Sequence, residues 1–402
     1  MILILTSNPF PIGLAATNRI LSYCKGFAAN GCVPMVVCIR ATETNKRIFN
    51  TEVKGSFQGI DFIYPGNRTV RSKSFLSRRL NDFIGIVKSL YFVISALNKK
   101  TMSAGIYYGN NLIFELLSVI IFRLYGIRYF KEESENPEVY FVNRKDLLSH
   151  LSKFIMINIL YKLYSGVLVM TPQLMEYFIA KGHHKQKLLL VPHTIEMDRF
   201  SIQREQTTRF NWEGKDYMAF MGSLSESKDG VLTLLETFAL IKIKYEELSL
   251  NIAGDGSDHE VKLLQKTIER LNLRNSANLL GRVPSDAIPQ FLCGAKVLVS
   301  CRPESLQSEY GFPTKVLEFL ASGVPTVTTA TGELKNYLID GVNCFIAAKA
   351  EPKVIAEKVF EVFDDYDKAL CTAQLGVNLV KEKFNHVENT KKFLTFIGKE
   401  IL

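Results

Sequence analysis

Residues Ser308–Pro325 read SEYGFPTKVLEFLASGVP, and the strand-like run VPTVTT starts where they end. Pro313 suits a helix entry and Thr314 an N-cap, while Gly323 and Pro325 stop the helix before the next apolar run. Loop, short helix and strand in that order make one step of an α/β chain. At about 100° per residue Val316, Leu317 and Leu320 share a stripe and Thr314, Glu318 and Ser322 lie opposite, so Glu318 is expected to face away from the core. A free helix start offers N–H groups to a diphosphate, with Lys315 beside it as a point charge. One turn further on, Glu318 is placed to accept hydrogen bonds from two ribose hydroxyls. The competing reading is an exposed Lys315–Glu318 pair at i, i+3, worth about 0.2–0.5 kcal/mol.

The same step recurs along the chain. ILIL, PMVVCI, GIYY, IRYF, GVLVM and KLLLV alternate with helix-period stretches in the first half, and YMAFMG, LSLNIAG, ANLLG, AKVLVS, VPTVTT and NCFIA do so in the second. Several of these runs are apolar on consecutive residues, as parallel strands covered on both faces are. The expected fold is therefore α/β, with two doubly wound domains over residues 1–200 and 201–385. The joint falls near Ile195–Trp212, where the sequence turns polar and loses its period.

In such sheets ligands bind beyond the carboxyl ends of strands. Four loops occupy such positions: SNPFPIGLAATNR with Gly13 ahead of a helix that carries Asn18, MGSLSESKDG with Gly222, Ser223 and Lys228, AGDGS with Gly254, and CRPESLQSEYGFPTK. Neither GxGxxG nor GxxxxGK[ST] is present. Taken alone, each loop is equally readable as a plain turn, and Lys228 as a solvated charge at the start of the helix DGVLTLLETFALIKIKY. The set in this order points to a nucleotide cleft.

Composition narrows the classes. The chain has 402 residues, 47% hydrophobic and 22% charged, as a globular protein of two sizeable domains has. LLSVIIFRLYG and FIMINILYKLY are interrupted by Arg123 and Lys162, so no membrane span is expected, and MILILTSNPF reads as a buried strand entering a loop. A cytoplasmic protein is expected. The seven scattered cysteines suit reduced core thiols, and the histidines read as loop or surface residues, so no metal site is expected.

Charge is uneven. Residues 1–200 carry 25 Lys and Arg against 13 Asp and Glu, a balance of +12, whereas residues 201–402 carry 24 against 27, a balance of −3. Within Asn67–Lys100, Arg68, Arg71, Lys73, Arg78, Arg79 and Lys88 mix with Phe75, Leu76, Leu80, Phe83, Ile84 and Val87. Two readings stand: a helix resting on an anionic membrane surface, or a core helix with a solvated basic face. No nucleic-acid module accompanies the charge, so no nucleic-acid partner is expected.

MGSLSESKDGVLTLLETFALI, LNIAGDGS, NLLGRVPSDAIPQFL and YGFPTKVLEFLASGVPTV resemble, in order and spacing, the donor-binding domain of the retaining glycosyltransferases of family 4, which have the GT-B fold. FPIGLAATNRI, YFKEESENPEVY, GVLVMTPQLMEYF and VPHTIEMDRF are similar to its first domain, more loosely. The resemblance implies two Rossmann-like domains facing across a cleft, with a terminal helix at about 386–402 crossing back to the first. It implies a sugar moved from a nucleotide diphosphate sugar to an acceptor hydroxyl with retention, without a cofactor or metal. The basic, aromatic first half fits a lipid-linked saccharide of surface polysaccharide synthesis as the acceptor, with a soluble acceptor the alternative.

Residue by residue, the resemblance implies that Glu318 binds the ribose, that Gly311, Phe312, Pro313, Thr314 and Lys315 lie at the diphosphate, and that Lys228 neutralises the leaving group. Gly222 and Ser223 form the phosphate turn, Gly254 lies in the adjoining loop, Arg282 frames the base, and Gly13 approaches the donor. Asn18, Glu133 and Glu135 fall on the acceptor side. Where the family often has a glutamate eight residues before the ribose-binding one, this chain has Tyr310, with Glu309 one place earlier. Either Glu309 serves or the sugar is gripped without that carboxylate. Ser223 stands where many members have arginine. Two alternatives remain open: a nucleotide-sugar epimerase of the same architecture and a nucleotide-binding module without catalysis.

Overall fold

A computed structural model of the chain describes residues 1–13, 15–44, 48–138, 147–200, 216–305 and 313–398. The chain forms two compact units, Met1–Thr194 with His386–Leu402, and Ile195–Asn385.

The first unit is built on an eight-stranded sheet: β1 (Ile2–Thr6), β2 (Pro34–Cys38), β3 (Lys54–Phe57), β4 (Ile60–Ile63), β5 (Ala104–Tyr108), β6 (Arg128–Glu133), β7 (Gly166–Val169) and β8 (Leu188–Leu190). Their order is β3-β4-β2-β1-β5-β6-β7-β8. All neighbours are parallel except β3 and β4, a hairpin closed by Gln58 and Gly59 at φ 49° and 80°. Two positive φ angles match the right-handed strand twist that a two-residue hairpin needs.

β1 shows why the sheet is buried on both sides. Leu3 and Leu5 join one apolar cluster with the helices Phe75–Asn98, Leu112–Leu124 and Pro172–Ala180. Ile2 and Ile4 join the opposite cluster, formed with the helices Ala15–Ala29 and His386–Phe396. The latter pair pack closely: the Phe27 and Phe393 rings meet at a tilt with centroids 5.6 Å apart, and a Cβ on Gly26 would strike the His386 carbonyl.

The second unit repeats the plan with β9 (Tyr217–Ser223), β10 (Ser249–Asp255), β11 (Ala277–Gly281), β12 (Val297–Ser300), β13 (Thr326–Thr329) and β14 (Phe345–Ala347). The order is β11-β10-β9-β12-β13-β14, and every pair is parallel. In each sheet the strand order reverses beside the unit's first strand, between β1 and β5 and between β9 and β12. Those switch points are where a doubly wound sheet opens a crevice.

Several expectations are corrected. The helix Phe75–Asn98 is long and apolar enough, by length and composition, to cross a membrane, although no such run was expected. Its inner residues Ile86, Leu90, Val93 and Leu97 are nonetheless packed into the first core. His183, His193 and His386 are buried instead of lying on the surface, and burial together with the neighbouring Arg19 pushes the His193 imidazole down to about 3. Five of the seven cysteines are buried, and Cys371 is exposed.

Candidate functional site

β9 ends in the Gly222-Ser223 turn at the second unit's switch point. A one-turn helix, Glu226–Asp229, follows; Gly230, at φ 67°, separates it from the longer helix Val231–Lys244. Lys228 therefore sits on its own short turn ahead of that helix and not at its start, because a left-handed residue interrupts the path. Lys228 is exposed, and its ammonium has no hydrogen-bond or ion-pair partner among the described residues. The nearby Glu226 carboxylate is engaged elsewhere, accepting from Leu232 N at 2.5 Å and Thr233 Oγ1 at 2.7 Å.

Asp229 organises the turn. Its buried carboxylate accepts from Ser223 N through Oδ2 at 2.8 Å and pairs with Lys315 Nζ, while Oδ1 has no hydrogen-bond partner among the described residues. The Lys315 ammonium also lies 5.0 Å from the Phe220 ring centroid. A Cβ on Gly222 would displace the paired ends of Lys315 and Asp229, and one on Gly254 would run into the Gly222 backbone carbonyl. Burial pulls the Lys315 ammonium down to about 8; Asp229 opposes the shift and Arg302 and Lys228 reinforce it. Arg302, buried just beyond β12, is pulled below the usual arginine range by burial, with Asp229 opposing, and its Nε has no hydrogen bond among the described residues. Three cations thus surround one buried carboxylate. That surplus, in a partly desolvated turn, is the electrostatics of an anion site.

The helix Thr314–Ser322 starts one residue earlier than expected. Pro313 holds the cap position at φ −76° and ψ 81°, no side chain caps the first turn, and Gly323 ends the helix at φ 73°. Thr314 is therefore the first helical residue and not the cap; the proline ring fixes φ for entry and brings no hydroxyl. Ser322 is buried instead of wet, donating to Phe319 O at 2.6 Å. Nor is Glu318 on an open polar face: its side chain is only 14% exposed, and its Oε1 lies 4.0 Å from Arg199 Nη1. Burial pushes the Glu318 carboxyl above the usual carboxylate range, against the pull of Arg199. Arg199 in turn donates to Ser285 O at 2.5 Å, three residues beyond the exposed Arg282. Lys315 and Glu318 each have another partner, so the i, i+3 pair is replaced by two separate contacts.

The structure brings together Gly222, Ser223, Lys228, Gly254 and Lys315, and sets Glu318 on the same short helix as Lys315. Asp229, Arg302 and Arg199 were not anticipated. Asp229 and Arg302 stand within motifs already quoted, SKDG and CRPES, but only the fold shows that Asp229 pairs with Lys315 and that Arg302 acts on the same charge. Glu309, Tyr310, Gly311 and Phe312 lie outside the described residues.

In the first unit, Gly13 follows β1, and a Cβ there would strike Thr17 Oγ1; Asn18 and Glu135 are exposed. Glu133, expected to face the cleft, is instead 1% exposed, 3.1 Å from Lys131 Nζ, and accepts from the Tyr161 hydroxyl at 2.5 Å. The strand places it inward, where a carboxylate needs a cation and a donor. Among the described residues, no three His, Cys, Asp or Glu side chains gather as metal ligands.

Residues 215–365 match the family model described as glycosyl transferases group 1. An uncharacterized glycosyltransferase of Methanocaldococcus jannaschii is 29% identical over 178 residues, 43% of this chain and 45% of that protein. The chain spans less than half the length of the curated relatives it matches. Anabaena Alr3699/HepE, solved in complex with UDP, superposes with a TM-score of 0.69 at 17% identity over 99% of both chains. Sucrose-phosphate synthase from Thermosynechococcus elongatus superposes with a TM-score of 0.71 at 14% identity over 99% of this chain and 98% of that one. Residues 215–365 are thus similar to the glycosyl transferases group 1 family, and the chain shares the GT-B fold of the structures it superposes on.

Proposed function

We propose that the chain transfers a glycosyl group from a nucleotide diphosphate sugar to a hydroxyl of a lipid-linked saccharide acceptor, with retention, in surface polysaccharide synthesis at the cytoplasmic face of a membrane. The observation that carries the reading is the unneutralised Lys228 beside the Gly222-Ser223 turn, on a surplus of buried positive charge. As the anomeric bond breaks, negative charge grows on the diphosphate. Fixed cations and helix N–H groups aimed at it then stabilise the transition state more than the ground state. In this reading Lys228 meets the leaving diphosphate, and Lys315 and Arg302 hold the turn positive from beneath. The charge comes from the protein and not from a metal ion or a cofactor. Glu318 accepts from the ribose hydroxyls, and Arg199 orients it toward the Arg282 loop. With retention, the acceptor hydroxyl is deprotonated on the leaving-group side.

The test is product analysis after a thermal-shift screen of UDP, GDP, CDP and ADP sugars; ligand at 100 times its Kd adds about 2.7 kcal/mol of stability. HepE, solved with UDP, makes the uridine sugars the first to try. A glycosylated acceptor supports the reading. An epimerised donor would replace it with epimerase chemistry, and a bound, unaltered nucleotide with a binding module.

A further inference from the structure

We propose that the outward sides of the helices Phe75–Asn98 and Leu112–Leu124 together form a docking surface for an anionic lipid bilayer. The inference rests on the reading that the acceptor is lipid-linked, and it names the surface and the second helix that meet the lipid.

Both helices cover the same face of the first sheet. Ile86, Leu90 and Val93 of one and Phe114, Val119 and Phe122 of the other belong to one core with Leu3 and Leu5 of β1. Helices anchored inward on one sheet face turn their other sides outward together. Their carboxyl ends are tied, because the Tyr125 hydroxyl just after the second donates to Asn98 Oδ1 at 2.9 Å.

The outward sides are apolar where a solvated helix is polar. Leu76, Leu80, Phe83, Val87 and Tyr91 recur at helical spacing and are 48–78% exposed. Ile113, Leu117, Ile120 and Leu124 do the same on the second helix, at 41–80%. Two adjacent stripes of this kind form a contiguous patch, which an isolated surface leucine does not.

Charge selects the occupant. The exposed charged residues on these helices are Arg79, Lys88 and Arg123; Glu115 is buried and Asp82 half-buried. The guanidinium groups of Arg78 and Arg79 sit 5.6 and 5.2 Å from the Phe75 ring centroid, which puts charge beside the apolar stripe. A second copy of the chain would set like charges against each other, whereas anionic headgroups complement them. With its inner face held in the core, Phe75–Asn98, about 36 Å long, lies along the lipid surface and does not cross it.

The test is co-sedimentation of the full chain with vesicles of phosphatidylcholine alone or mixed with phosphatidylglycerol. Wild type, Leu80→Glu with Phe83→Glu, and Leu117→Glu with Ile120→Glu are compared, with thermal unfolding and nucleotide-sugar binding followed in parallel. The wild type is expected to pellet with phosphatidylglycerol vesicles and about tenfold less with phosphatidylcholine alone, and each double variant to lose about tenfold in partitioning. Folding and donor binding are expected to stay unchanged. Wild type that remains in the supernatant, variants that pellet equally, or a solution dimer that the variants dissociate would overturn the proposal, the last assigning the face to a second copy. Vesicle binding without donor binding or turnover would instead defeat the transferase reading and leave the docking surface standing.

Discussion

The two units share a core strand order, β4-β2-β1-β5-β6-β7 in one and β11-β10-β9-β12-β13-β14 in the other, yet they dispose of charge differently. In the first, Arg19 is 1% exposed, pairs with Glu132 at 2.7 Å and donates to the carbonyls of Val191 and Pro192, so its cation is fully answered from within. Lys131 likewise lies 3.2 and 3.1 Å from Glu115 and Glu133. In the second, Asp229 is outnumbered by Lys228, Arg302 and Lys315. Buried cations met by carboxylates hold a fold together; on the proposed function, the surplus of positive charge at the second switch point is set up for a ligand. On that reading the same βαβ plan serves as scaffold in one unit and as anion site in the other.

The sharpest way to break this comparison is to cut one network on each side. Arg19→Ala leaves Glu132 buried without its cation and is expected to cost about 3–5 kcal/mol of stability in urea unfolding, with nucleotide affinity of the folded protein unchanged. A loss of affinity as large as the loss of stability would abolish the distinction. Lys228→Ala should do the reverse: being exposed, it should change stability by less than about 0.5 kcal/mol, while turnover falls by about 10²–10³ and donor binding falls less. Steady-state kinetics beside a donor titration would show it.

Glu318→Ala is expected to weaken nucleotide binding by about 1.5–3 kcal/mol in calorimetry, the range for a hydrogen bond to a charged group. The smallest effect concerns pH. The Lys315 ammonium, held at about 8 in the folded chain, deprotonates above that pH, so donor affinity should fall severalfold as pH rises from there. The sign for stability is opposite: between about 8 and the ordinary lysine value of 10.5 the unfolded chain binds more protons, and stability rises with pH. Lys315→Met should flatten both trends.

Much of the architecture was legible in residues. All twelve strand-like runs quoted from the sequence became strands, because consecutive apolar, β-branched residues between turn signals leave few other folds. The β3–β4 hairpin escaped notice because KGSF and IDFI are short and only half apolar, and Gln-Gly is a weaker turn signal than Asn-Gly. The site was legible as a set of loops but not as a network. Periodicity placed Glu318 on a polar face, yet the packing of Arg199 against it depends on a residue 119 positions away in sequence. In the same way Lys315 read as an exposed point charge until Asp229, brought in by the left-handed Gly230, took its ammonium inside. Glu133 misled for the opposite reason: an acidic run at a strand end looks solvated, while a central strand covered on both faces buries Glu132 and Glu133 alike.

The central claim is that the second unit's switch point holds the nucleotide of a sugar donor, and calorimetric titration of nucleoside diphosphates into wild type, Glu318→Ala and Lys228→Ala tests it most directly. The account predicts saturable binding of one nucleoside diphosphate to the wild type, weakened at least about tenfold in Glu318→Ala and less in Lys228→Ala. Equal binding by the wild type and Glu318→Ala, or no binding of any nucleoside diphosphate to folded wild type, would contradict it.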